Sequence, residues 1–208
     1  MEEVHNFKYL GSILSRDGTC EAEIQVRIGS AMAAMTKLTK IWKTKNISLP
    51  TKLRLYRALV QTIVLYGCET WTLMAATERK LQAFENKCMR KILQISYLEH
   101  KTNEYVWEKI KSITCHQETI ITTIKRRKMA WFGHVVRHDT LTKTILQGTI
   151  EGGRRRGRQR KCWLDNIKEW TGMKLHELLA AAQNRQIWRS LSFDVSMRSP
   201  QRPQRSRD

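Results

Sequence analysis

From Thr19 to Trp42 the chain reads TCEAEIQVRIGSAMAAMTKLTKIW, and the period of this stretch decides the fold class. Ile24, Ile28, Met32, Met35, Leu38 and Trp42 recur at three or four, which is the stripe of an amphipathic helix. Thr19 can cap its start, and Glu21 and Glu23 fall in the first turn, where the helix dipole favours acids. Comparable stripes follow. Ser48-Leu49-Pro50 opens a second helix, cap before early proline, with Leu55, Leu59, Ile63 and Tyr66 on one side until Gly67 interrupts it. A third runs from about Thr77 with Leu81, Phe84, Cys88 and Ile92 on its face. A short helix is expected around Asn103 to Ile113, a longer one around Glu118 to Arg137, and helical pattern returns at 162–167 and from Leu175 to Leu191. Short polar connectors between such helices suit a bundle.

The two flanks of this helical pattern differ from it. Phe7-Lys8-Tyr9-Leu10-Gly11-Ser12-Ile13-Leu14 is short and rich in aromatic and aliphatic residues, and Arg16-Asp17-Gly18 reads as a turn after it. A strand, or the second half of a hairpin, is expected there. A lone strand pair is marginal in water and wants a sheet, so Phe7, Tyr9 and Leu10 are expected to be exposed or poorly packed. Farther on, Gly148 to Lys161 holds four glycines and Arg154-Arg155-Arg156-Gly157-Arg158-Gln159-Arg160-Lys161, six basic residues in eight. Like charges this dense repel and bury nothing, which predicts an exposed arm. The polar end from Ser196 to Asp208 reads as disordered.

Lysine and arginine number 38 against 19 acids in 208 residues, a net charge of +19. That excess selects polyanionic partners and salt-sensitive encounter with them. No apolar run approaches the roughly 20 residues of a membrane-spanning helix, and MEEVHNFKYL is not a signal peptide, so no membrane partner is expected. Cys20, Cys68, Cys88, Cys115 and Cys162 are an odd set without CxxC, which reads as reduced thiols of an intracellular protein, nuclear and cytoplasmic. Metal-dependent polymerases and nucleases need clustered carboxylates. The aspartates Asp17, Asp139, Asp165, Asp194 and Asp208 stand apart, and a P-loop lysine, GxSxG and HExxH are all missing. The chain is therefore not expected to be an enzyme by itself, and no cofactor is implied.

Nucleic-acid contact is expected first from Arg154, Arg155, Arg156, Arg158, Arg160 and Lys161, because guanidinium groups fork onto phosphates and glycines keep the backbone supple. A solubilising loop or a nuclear-localisation signal is the plainer reading of the same run. A second basic cluster, Lys125-Arg126-Arg127-Lys128, precedes Trp131-Phe132-Gly133-His134. Its cations are expected to face outward with Trp131 turned inward, although a tryptophan beside cations can also stack on a base. His134 and His138 have the i, i+4 spacing of two metal ligands, with Cys115 upstream, but a fourth ligand is missing and no metal is expected. Tyr66-Gly67-Cys68-Glu69-Thr70-Trp71 reads as a packing corner with Cys68 in the core.

Five of these segments, in order, resemble the non-LTR (LINE-type) retrotransposon reverse transcriptases downstream of their catalytic aspartates. Phe7-Lys8-Tyr9-Leu10-Gly11 is similar to the strand at their palm–thumb junction near the primer terminus, and Leu65 to Trp71 to their LYG-x-E-x-W segment. Trp131 to Arg137 resembles WFGHV-x-R, Gly153 to Asp165 a glycine-arginine run ending in WLD, and Arg185 to Arg189 a closing R-x-x-W-R. Gln159 stands where proline is common and Asn184 where aspartate is common. The palm aspartates and the endonuclease domain of such elements are absent from this stretch.

The resemblance implies an all-α chain: a thumb-like helical bundle with a short N-terminal β-strand or hairpin, a basic linker and a C-terminal helical hairpin. Its expected divisions are a truncated palm-edge strand at 1–18, the bundle at 19–100 and a helical extension at 101–138. A Gly/Arg-rich linker follows at 139–161, the helical hairpin at 162–191 and the tail at 192–208. The implied function is clamping of RNA/DNA duplex, element RNA or target DNA, with Phe7, Tyr9, Leu10 and Gly11 as a primer-grip-like strand. RNA, DNA and the palm domain of the same polyprotein are the implied partners. A host-derived protein-binding or assembly module, or a degenerate fragment without selected function, are the alternatives.

Overall fold

The computed structural model describes residues 6–16, 18–114, 118–147 and 160–197. It is an all-helical chain with one short N-terminal hairpin, as the period of Thr19 to Trp42 requires. The chain divides into two compact units between Ile124 and Lys125. That division falls inside a continuous helix rather than at a connector. Among the described residues no helix is long and apolar enough to cross a membrane.

Unit 1 begins with β1 (Asn6–Tyr9) and β2 (Ser12–Ser15), antiparallel, with Phe7 opposite Leu14 and Tyr9 opposite Ser12. The stretch expected as a strand or the second half of a hairpin is a whole hairpin, turned at Leu10-Gly11. Both turn residues have positive φ (46° and 82°), the requirement of a two-residue type I′ turn, and glycine meets it without strain at the second position. Leucine is a poor signal for such a turn, which is why the run reads as unbroken.

Helix α1 (Glu21–Lys37) follows with Glu21 and Glu23 in its first turn; its N-cap position is Cys20 and makes no side-chain cap. Ile24, Ala31 and Met35 are fully buried, and Trp42 in the short α2 (Thr39–Lys43) completes the stripe, its indole donating to the Met35 carbonyl at 2.9 Å. Helix α3 (Leu49–Tyr56) passes through a π-helical turn at Arg57–Gln61 into α4 (Thr62–Val64). Here the buried face is Leu53, Tyr56, Val60 and Val64, not the expected Leu55, Leu59, Ile63 and Tyr66. The run from Ala58 to Tyr66 is apolar on more than one side, and the π turn shifts the phase, so periodicity alone picks the wrong face.

Helix α5 (Ala75–Leu93) buries Leu81, Phe84, Cys88 and Ile92, as its spacing predicts. Helix α6 (Asn103–Ile113) starts at a Thr102 cap that accepts from the Tyr105 amide at 3.2 Å. Helix α7 (Ile120–Arg137) carries the chain from unit 1 into unit 2.

In unit 2, α8 (Leu141–Gln147) lies within the stretch expected to be linker. Leu141 and Ile145 are exposed, so the helix shows no buried stripe that composition could have revealed. The remaining helices are α9 (Trp163–Thr171), α10 (Leu175–Gln183) and α11 (Arg185–Met197). The expected helix from Leu175 to Leu191 is broken at Asn184, whose extended ψ of 110° ends α10. Its side-chain oxygen then accepts from the amides of Gln186 and Ile187 and starts α11.

Candidate nucleic-acid interface

The basic cluster at the head of unit 2 sits on α7, and a helix cannot turn four consecutive residues to one side. Arg126 and Arg127 are exposed, whereas Lys125 is buried and Lys128 fully so. The expectation that all four cations face outward is therefore corrected. Lys128 donates to Asn166 Oδ1 at 2.8 Å and lies 4.5 Å from the ring centre of Trp163 and 5.6 Å from that of Trp170. Lys125 faces Trp170 at 5.6 Å. An ammonium leaves water only if donors are answered and charge is offset; here an amide oxygen and indole faces contribute both. Lys125 and Lys128 build unit 2, and Arg126 and Arg127 remain at its surface.

The motif after this cluster is equally structural. Met129, Phe132 and Val136 form the inward stripe of α7 and join Ile167, Leu178, Ala182, Trp188 and Val195 in one core. Phe132 lies 5.2 Å from Trp188 between ring centres. Trp131, expected inward, is half-buried at the rim, edge-on to Trp163 at 5.1 Å. Phe132 takes the core position because it falls in phase with Met129 and Val136. Gly133 explains why the motif carries a glycine inside a helix: a Cβ there would collide with Cδ1 and Nε1 of Trp188. That approach lets the Trp188 indole donate to the Met129 carbonyl at 2.8 Å. Arg137 donates from Nη1 to the Ala182 carbonyl at 2.8 Å and holds α7 to the end of α10. The WFGHV-x-R, WLD and R-x-x-W-R segments thus meet in the core of unit 2.

Several basic side chains of unit 2 lie outside this core. Arg126, Arg127 and His134 are exposed on α7 and His138 just beyond its end, with the two imidazole rings 4.5 Å apart. Arg160 is exposed, while Lys161 pairs with Glu169 at 2.6 Å. Arg154, Arg155, Arg156 and Arg158 lie outside the described residues, and so does Cys115. Among the described residues no group of three His, Cys, Asp or Glu side chains is placed to hold a metal ion.

In unit 1 the hairpin is fastened by polar groups that sequence reading missed. Buried Glu23 accepts from the Ile13 amide at 2.6 Å and pairs with Arg27 at 2.6 Å. Arg27 donates on to the Gly11 carbonyl at 2.6 Å and stacks 4.3 Å over the Tyr66 ring, whose hydroxyl donates to the Leu10 carbonyl at 2.9 Å. The backbone of the turn is thereby gripped while Phe7, Tyr9, Leu10 and Leu14 stay exposed, at 58 %, 58 %, 75 % and 56 %. The packing corner brings Cys68 into the core as expected. The only hint of the grip was an acid at the stripe edge, Glu23, with Arg27 at i+4.

Three buried groups of unit 1, Tyr56, Glu85 and Cys88, carry perturbed protonation. Burial pushes the Glu85 carboxyl up to about 8, against which the Ile120 amide, bonded at 3.0 Å, acts only in part. Burial and then the Glu85 charge push the Cys88 thiol up to about 12, which makes it a poor nucleophile. Burial, and then the charges of Glu85 and Cys88, also push the Tyr56 hydroxyl well above its ordinary value, so the three form one buried cluster.

No protein-family profile matches the chain, and no solved structure does. It is similar to an uncharacterized transposon-derived protein of Caenorhabditis elegans, 22 % identical over 172 residues that make up 81 % of this chain and 61 % of that protein. It is also similar to the RNA-directed DNA polymerase from mobile element jockey of Drosophila funebris, 29 % identical over 94 residues, 44 % of this chain and 10 % of that one. The chain thus spans less than two thirds of the length of either relative. Both similarities support a retrotransposon origin.

Proposed function

We propose that this chain is the nucleic-acid-binding, non-catalytic C-terminal portion of a non-LTR reverse transcriptase, gripping RNA or DNA through backbone phosphates. The observation that carries the reading is how unit 2 sorts its residues. The motif segments shared with such elements are spent on the core, and Arg126, Arg127 and Arg160 are exposed at the surface. The net charge of +19 gives that surface its ligand class. Similarity to a jockey polymerase over part of the chain supports the same assignment. Phosphate contacts of this kind position a strand without reading its bases, so binding is tolerant of sequence.

The hairpin points to a second partner, the palm domain of the parent polyprotein. Its turn is held by Glu23, Arg27 and Tyr66 while its apolar side chains face outward, which suits a strand pair that completes a sheet elsewhere. In this reading the chain alone extends no primer, because the paired carboxylates belong to that other domain.

The test is a salt titration of binding to two unrelated oligonucleotides, with Arg154, Arg155 and Arg156 replaced together by alanine. Each lost phosphate contact lowers the slope of log affinity against log salt by about 0.7 on single strands or 0.9 on duplex. The triple variant should lose up to roughly two to three units of slope, equally on both sequences, with unchanged circular dichroism. An unchanged slope with intact helicity overturns the reading of the arm.

A further inference from the structure

The outer face of α5, opposite the Leu81, Phe84, Cys88 and Ile92 stripe, lines an open cleft of about 760 Å³ within unit 1. Arg79, Lys87, Arg90 and Lys91 border it, and none of its lining residues is acidic. We propose that this cleft binds a single strand of nucleic acid through several consecutive phosphates, as a site built by unit 1 alone. The proposal rests on the polyanion-binding reading above and adds to it a second, preformed element.

Three observations select that ligand. The first is orientation. Arg90 Nη2 donates to the Lys101 carbonyl at 2.8 Å and to Asn103 Oδ1 at 2.9 Å, so the guanidinium is fixed at the rim and need not be ordered by the ligand. The second is polarity. Asn86 Oδ1 accepts from the Trp107 indole at 2.8 Å, and Asn103 Oδ1 is taken by Arg90. What both amides still offer is their NH2 donors, so cations and amides alike ask for an acceptor-rich anion. The third is length. Arg79 and Arg90 lie about 16 Å apart along the helix, at the usual rise per residue, too far for one phosphate to touch both. A chain of phosphates spans that distance, and Ala83 and Ile95 supply apolar surface against which a base can lie.

Arg79 and Lys87 are exposed and lie outside the core, so Arg79→Ala with Lys87→Ala removes charge without opening unit 1; Arg90 is left in place because it ties down Asn103. The full chain is titrated with oligouridylate across salt, alone and with the arm variant, while the side-chain NH2 resonances of Asn86 and Asn103 are followed. The double variant should lower the slope by up to roughly 1.4 on single strands, additively with the arm substitutions. Both NH2 resonances should shift with oligouridylate and stay put with inorganic phosphate at the same phosphate concentration. Unmoved resonances and an unchanged slope, with the arm variant still losing slope, overturn the cleft and leave the function above standing. Equal shifts with inorganic phosphate make it a small-anion site and overturn the strand proposal. Failure of the wild-type chain to bind oligouridylate at low salt removes the function and the cleft together.

Discussion

Helices α1 and α7 each bury a charged residue and use it to fasten a neighbouring segment, but they differ in what accompanies the fastening. On α1, Glu23 and its partner Arg27 hold the hairpin by its backbone, and the hairpin's apolar side chains remain in solvent. On α7, Lys128 holds Asn166 of α9, and Phe132, Trp163 and Trp188 close over the same ground. A polar grip orients a segment, and burial of apolar area makes that segment part of a cooperative core. Unit 2 therefore depends on α7 throughout, whereas the hairpin can loosen with the rest of unit 1 intact.

The largest effect follows from the Lys128 contact. Asn166→Ala removes the amide acceptor of a fully buried ammonium, and losing the partner of a buried charged donor costs about 3 kcal/mol or more. Lys128→Met with Asn166→Leu removes the charge and the amide together and should recover most of that loss. Chemical denaturation monitored by tryptophan fluorescence distinguishes the two. Equal stability of the single and the double variant would mean that Lys128 is answered chiefly by the indole faces.

Glu85 sharpens the contrast because it is buried on α5 and only a backbone amide, that of Ile120, offsets its burial. Its carboxyl is raised from 4.5 to about 8 by burial. The folded state therefore holds this proton more tightly than the unfolded chain. That favourable term is fully present below about pH 4.5 and is lost as pH rises towards 8. The loss accumulates to a few kcal/mol across the window. Glu85→Gln keeps an oxygen for the Ile120 amide and should flatten the dependence, so the variant gains on wild type as pH rises. Parallel stability–pH curves for the two proteins would contradict this.

Two helical glycines divide the units in the same way. Gly29 in α1 has open space where a Cβ would stand, whereas at Gly133 in α7 the Trp188 ring occupies that space. Gly29→Ala should stabilise by up to about 1 kcal/mol through backbone entropy. Gly133→Ala should destabilise by about 1–3 kcal/mol, since it must displace an indole bonded to Met129. Thermal midpoints moving in the same direction for both would remove the distinction.

Where the sequence was legible, local pattern and tertiary burial agreed. Leu81, Phe84, Cys88 and Ile92 are the only apolar phase that α5 offers with weight, and α6 has a threonine cap at its head. Legibility failed where two phases compete, as from Ala58 to Tyr66, and where a partner arrives from far along the chain. Nothing near Lys128 announces that Asn166 and Trp163 will meet it, so a charge run defaults to a solvated face. Gly133 was the available clue, because a glycine inside a helical pattern marks a close approach. The cations of α5 were equally visible, but only the fold shows that Arg79, Lys87 and Arg90 border a concavity with oriented amides.

The smallest effect concerns the hairpin turn. Leu10 adopts φ of +46° with its side chain 75 % exposed, so it bears left-handed backbone strain without gaining burial in return. Leu10→Asn creates the Asn-Gly pair that a type I′ turn prefers, and the Tyr66 hydroxyl still reaches the backbone carbonyl at position 10. The variant should stabilise the hairpin by about 0.5–1 kcal/mol, which slows amide exchange in β1 and β2 by roughly two- to fivefold. Exchange elsewhere in unit 1 should be unaltered, because the grip through Glu23 and Arg27 contacts other atoms. Faster exchange in the variant would show that the Leu10 side chain holds the turn by packing. An unchanged rate would place the limit on hairpin opening in the Glu23–Ile13 contact instead. Slower exchange leaves a strained, solvent-facing leucine whose side chain serves something other than this unit's own stability, as the proposed contact with a palm domain requires.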